Sequence, residues 1–356
     1  MPLRPLAGAA CALLLGGLPA LVALAAEADA PAALAALKKT GATLKQDADG
    51  LVVEARFTGP KVDRDDLAAL ASLPRLRSLV LAGCDVSDDA LALLAPLSGL
   101  RNLDLRECPV TNAGLARLDG LEHLAALRLS GKSGVTRVDD GGMEHVARLT
   151  GLRTLMLDHL WVSEAGLVKL APLADLEELT LAQTLVRDDA LAVVATFPKL
   201  RRLRLAKTAV TGAGLAQLGK LSRLEDLDVS EATALDDAAL EPVGRLLTLR
   251  RLNLWRAPVG DAGVTHLAGL VNLEWLNLDN TLVTDAGLAA LGRMRKLSFL
   301  HLGSTAVSNA GLERLAVLAA LRDVSLTRTA VDAAGAAALQ SRLPEATIRL
   351  AVESPP

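Results

Sequence analysis

The sequence predicts an α/β solenoid in which parallel strands line a concave face and short helices cover the convex face. Three observations carry that reading: a fixed period, an alternating L-x-L phrase, and a hydroxyl–acid–Ala-Gly-Leu phrase that follows it. The second Leu of L-x-x-L-x-L, or its substitute, falls at Leu79, Leu103, Leu127, Leu155, Leu179, Leu203, Leu227, Leu252, Leu276, Leu300, Val324 and Ile348. The intervals are 24 residues, except 28 from Leu127 to Leu155 and 25 from Leu227 to Leu252. A fixed period in this range describes stacked units, each burying its apolar face only against its neighbours. One period before Leu79 stands Ala55, in a degenerate first copy.

Each part of the unit follows from its residues. In L-x-L the side chains alternate, so both Leu point inward and the residue between them points out. Val86, Val110, Val186, Val210, Val283 and Val307 close the inner row. A short helix follows, its inward side marked in one copy by Leu115, Leu118, Leu121 and Leu124. Ser87, Thr111, Ser163, Thr211, Thr284 and Ser308 stand where an N-cap hydroxyl accepts a free amide N–H. The acids just after them, such as Asp88, Glu164 and Asp285, suit the positive end of the helix dipole. Gly114, Gly166, Gly214, Gly263, Gly287 and Gly311 give room for close packing between turns, at a cost in helix propensity.

The phrase, as in LRNLDLRECPVTNAGLARL from Leu100 and LEWLNLDNTLVTDAGLAAL from Leu273, resembles the leucine-rich repeat over residues 51–350. The position often held by Asn in that family carries Cys84, Cys108, Thr184, Thr208, Thr281, Thr305 and Thr329, which is similar to the bacterial, cysteine-containing and GALA-like subfamilies. The resemblance implies a horseshoe-shaped solenoid of about twelve repeats. It also implies a protein- or ligand-binding surface rather than an enzyme.

At the start, Arg4, the apolar run of residues 6–26 and the small residues near 23–28 read as a signal peptide of residues 1–28, with an uncleaved membrane anchor as the alternative. Export to the periplasm, cell envelope or medium follows from that reading. Residues 29–57 are expected to cap the first repeat with a helix and a β-hairpin, and residues 351–356 form a tail. Cys84 and Cys108 stack in adjacent repeats, either as two buried thiols or as a disulfide.

The net charge of -3 gives no basis for nucleic acid or an acidic membrane as partner, and with no Tyr and 2% aromatics a base-stacking surface is not expected. Function should therefore lie on the outward strand positions. Glu177, Arg201, Glu225, Arg250 and Glu274 alternate in sign, as do Glu178, Arg202, Asp226 and Arg251, which describes self-neutralised charge ladders. Beyond them, Trp255, Trp275, Phe299 and His301 converge with Asn253, Asn277 and Asp279. Aromatics ringed by hydrogen-bonding groups have the composition of an interface hot spot, and this is the primary candidate site for a protein or peptide partner. Asp158, His159 and Trp161 form a secondary candidate next to the four-residue insertion in the long repeat.

Other chemistries are poorly supported. Gly131-Lys132-Ser133 lacks the frame of a phosphate loop, the five His show no metal-protease spacing, and the paired Asp residues are accounted for by helix starts. The expectation is a monomeric binding protein without cofactor, metal or catalytic activity. A carbohydrate- or cell-wall-binding module, a secreted effector or ubiquitin-ligase adaptor, and an inert spacer remain the alternatives.

Overall fold

A computed structural model describes residues 28–59 and 61–350. The expected signal peptide of residues 1–28, apart from residue 28, and the expected tail of residues 351–356 lie outside the described residues. One sheet of 14 strands follows the chain in strict order. The first pair, Thr43–Gln46 with Val52–Arg56, is antiparallel, and every later pair described is parallel. The register advances by one repeat per strand: Ala55 pairs with Leu79, Leu252 with Leu276, and Leu276 with Leu300. Equivalent residues of consecutive turns therefore stand side by side.

The inward residues form one continuous core. Leu79, Leu103, Leu155, Leu203, Leu252 and Leu300, with the Val row that closes each turn, are essentially without solvent exposure. Such burial contributes about 1.5–3 kcal/mol per side chain, enough in a long stack to hold the fold without cross-links. The apolar spacing of three also explains the convex side. Asn112–Leu115 is one α-helical turn that tightens into a 3-10 turn at Ala116–Leu118, where every third side chain faces inward. The helix Pro31–Lys39 packs on the following helix, Arg64–Leu70, and the antiparallel hairpin covers the first parallel strand.

Two features of the turn differ from the simple reading of the phrase. The acids at the helix starts do more than face a dipole. Asp188 accepts the Thr211 amide at 2.7 Å and the Thr211 hydroxyl at 2.6 Å, one repeat further on. Asp261 does the same for Thr284 at 2.8 and 2.6 Å, and Asp285 for Ser308 at 2.7 and 2.6 Å. The hydroxyl then accepts an amide of its own helix, as Thr211 does from Ala213. Ser87, by contrast, makes no side-chain cap.

The same carboxylate explains the glycines. A Cβ on Gly214 would lie 2.5 Å from Asp188 Oδ1, and one on Gly287 2.5 Å from Asp261 Oδ1. Glycine therefore follows a preceding Asp or Asn, as Gly114 follows Asp88, Gly263 follows Asp237 and Gly335 follows Asn309. Where the preceding residue is instead Arg64, Glu164 or Gly212, alanine stands in the slot, as Ala90, Ala190 and Ala239. The glycine is a notch for the neighbour's carboxylate.

The second feature is a left-handed non-glycine residue at nine of the strand exits. Glu107, His159, Gln183, Lys207, Glu231, Arg256, Asn280, Ser304 and Arg328 all have φ near +55 to +61° or slightly below, between 53 and 61°. Few of these types favour that region on their own. Their amides instead donate to the next turn, Gln183 to the Ala206 carbonyl at 2.8 Å and Lys207 to the Ser230 carbonyl at 2.7 Å. Cys84 and Cys108 are free buried thiols; burial, chiefly, pushes Cys108 up to about 12.

Candidate binding face

Two bands of the concave sheet contrast in chemistry. In the first, the ladders close as ion pairs: Arg202 with Glu178 at 2.7 Å, Arg201 with Glu225 at 2.8 Å, Arg251 with Asp226 at 3.3 Å, and Arg250 with Glu274 at 2.5 Å. Arg204 joins Asp228 at 3.1 Å and reaches across two repeats to Asp158 at 2.6 Å. Burial pushes the Asp226 carboxyl up, against the pull of Arg251 and Arg202 and with that of the neighbouring Asp228 and Glu178. The band's charges are satisfied by local pairing.

The second band begins where rings replace the ladder charges in the outward columns. Trp275 and Phe299 are register partners and stack with ring centroids 4.7 Å apart and planes 10° from parallel, the strand spacing of a sheet. His301 lies against Phe299 with centroids 4.0 Å apart. The Arg251 guanidinium lies over the Trp275 ring at 4.6 Å, within cation–π range. The sequence brings out the aromatic column but not this guanidinium, because Arg251 also belongs to the ladder. His301 stands between Asp279 at 3.5 Å and Asp323 at 3.6 Å, with Arg349 at 3.5 Å and paired to Asp323. Asp323 and Arg349 thus join the site as residues that pattern reading did not single out; their only sequence signal is membership of the same columns.

Trp255 is placed differently from the expectation. It lies beyond the strand Arg251–Asn253, in the exit turn, with Arg256 over its ring at 5.3 Å. Ring contacts among the described residues join Trp275, Phe299 and His301 only. Asn253 and Asn277 turn their side-chain carbonyls to their own exits, accepting from the amides of Trp255 at 3.2 Å and Asp279 at 2.9 Å. Asp279 accepts from the Gly303 amide. These three polar groups therefore fix the turn geometry beside the aromatics.

Of the secondary set, only His159 and Trp161 share a groove. Asp158 is committed to Arg204 and to the Ala182 amide at 2.8 Å, His159 occupies the left-handed turn position, and Trp161 stands on the strand-exit rim with 71% of its surface exposed. Among the described residues no group of three or more His, Cys, Asp or Glu forms a metal-holding cluster, and no helix is long and apolar enough to cross a membrane.

Comparison with known proteins agrees with this geometry. No curated protein matches the chain significantly. Among solved structures, an internalin from Listeria monocytogenes is similar over 82% of this chain and 92% of its own, at 20% identity and a TM-score of 0.58. A TDR receptor is similar over 77% of this chain, at 14% identity and a TM-score of 0.50; the match spans 55% of the receptor chain. The model of the leucine-rich repeat region matches residues 61–317, well over half of the chain. With its period, parallel register and single stacked core, the chain belongs to the leucine-rich repeat family.

Proposed function

We propose that this chain is an exported, non-catalytic leucine-rich-repeat protein that binds a protein or peptide partner through the concave band of Trp275, Phe299 and His301, with Trp255 at its margin. The observation that carries the reading is the break in the concave surface: paired charges give way to a half-buried aromatic stack. The indole N–H groups of Trp255 and Trp275 have no acceptor among the described residues, so they are open to a partner's carbonyls. Asn253, Asn277 and Asp279 flank the apolar centre on its strand-exit side, and in such mixed surfaces a few anchors carry most binding energy. Export rests on the leader-like residues 1–28, and a monomer is the expected state.

Carbohydrate binding fits this band less well. Sugars stack on open ring faces, whereas Trp275 has Phe299 on one side and Arg251 over its ring. The test is recovery of partners from the native cell envelope by wild-type and Trp275→Ala protein, followed by affinity measurement of any partner recovered. A hot-spot loss of about 2 kcal/mol or more, roughly thirtyfold in Kd, is expected. Identical partner sets with equal affinity would overturn the assignment.

A further inference from the structure

The long repeat builds a second surface away from the aromatic stack. Its inserted loop is held in place at several points. The Glu107 carboxylate accepts the backbone amides of Lys132 at 3.2 Å and Ser133 at 2.7 Å, Gly131 donates to the Asp158 carbonyl at 3.1 Å, and the buried Thr136 hydroxyl donates to the Cys108 carbonyl at 2.8 Å. Although partial burial acts to raise Glu107, hydrogen bonds from Ser130, Ser133 and Lys132 hold it below the usual carboxylate range. The loop is thus a fixed wall. Beside it a groove runs between Lys132, His159, Trp161, Gln183 and Leu185.

The groove and the rim around it carry both exposed apolar and cationic side chains. Trp161 is 71% exposed, Leu185 in the next repeat 54%, and Val135 on the loop 42%. Contiguous exposed apolar surface of this kind marks a candidate interaction site. Around them Lys132, Arg137 and Lys207 form no ion pair among the described residues, unlike the ladder arginines. The nearby carboxylates are committed: Glu107 to the loop amides, Asp158 to Arg204, and Asp139 to the Asn112 side chain at 2.6 Å and the Gly141 amide at 2.8 Å. Glu164 and Asp189 lie in the first turns of the convex helices.

We propose that this strand-exit rim is a second recognition surface, fitted to an extended peptide segment that combines acidic residues with an apolar anchor. Trp161 and Leu185 bury the anchor, and Lys132 and Lys207, on either side along the rim, meet the carboxylates. His159, Gln183 and Lys207 share one turn position in successive repeats, so they face the peptide as a regularly spaced polar row. The proposal does not depend on the aromatic band.

The probe is a displayed library of random peptides selected on the full chain. Selected sequences should pair Asp or Glu with Leu, Phe or Trp, and should bind Trp161→Ser and Leu185→Ser at least about tenfold more weakly. Lys132→Glu with Lys207→Glu should weaken binding as well, whereas Trp275→Ala should leave it unchanged. Trp161 is exposed, so its replacement is expected to preserve the melting transition, which is checked in parallel. No enrichment, enrichment of basic or neutral peptides, or binding that follows Trp275 rather than Trp161 would overturn the proposal. Self-association at rising concentration that Trp161→Ser abolishes would assign the rim to a second copy of the chain, and would also overturn it.

Discussion

The strands from Glu178–Thr180 to Arg251–Asn253 and the two that follow, Trp275–Asn277 and Phe299–His301, have the same length, register and inner leucines. Outward, one group carries alternating charges and the other stacked rings. The backbone places equivalent residues at one spacing in both, and each column satisfies itself with the contact that its residue types allow. Opposite charges pair laterally at 2.5–3.3 Å in the first group; planar rings lie flat on one another at 4.7 Å in the second. The comparison separates what the repeat dictates, which is the inner rows and turns, from what it leaves free for recognition.

The largest expected effect tests that the scaffold is common to both groups. Gly214→Ala, in a repeat of the charged band, and Gly287→Ala, in the repeat of Trp275, should each cost about 1–3 kcal/mol in denaturant unfolding, because each methyl meets a carboxylate. On the first background Asp188→Gly should recover part of the loss, reproducing the Gly212 and Ala239 pairing. Strict additivity of the two changes would break the account.

A smaller effect concerns the rings. In a double-mutant cycle, Trp275→Ala and Phe299→Ala should couple by about 0.5–1.5 kcal/mol, with little dependence on salt. Coupling near zero would reduce the stack to side-by-side placement. Smallest is the ladder: Glu178→Ala and Arg202→Ala should couple by about 0.2–1 kcal/mol at low salt and lose most of that coupling in molar salt. A coupling that persisted in salt would erase the distinction between the two bands.

Much of the fold is legible from the chain because every inward residue repeats. The period alone places Leu276 beside Leu300, and with them Trp275 beside Phe299. The strand-exit turns are harder to see. Glutamate, lysine or arginine gives no local sign of a left-handed backbone, which is held by amides bonded to the next turn. The acids were similarly ambiguous, since Asp188 satisfies both the dipole argument and the bond to Thr211. For the candidate site, alignment identifies columns but not side-chain commitments. It could not show that Arg251 covers Trp275, that Trp255 stands apart, or that Asp158 is taken by Arg204 while Trp161 stays open.

The carboxylate and its notch belong to two successive units, so these units are not freely interchangeable parts. Loss of the segment between the Asp188 copy and the Ala239 copy would set a carboxylate against a methyl group, although both fused halves keep every leucine. Joining the Asp188 copy to any copy that begins with the glycine notch would keep the junction sound. Shortening or lengthening of this chain by recombination is thus restricted to compatible seams, marked by one residue on each side.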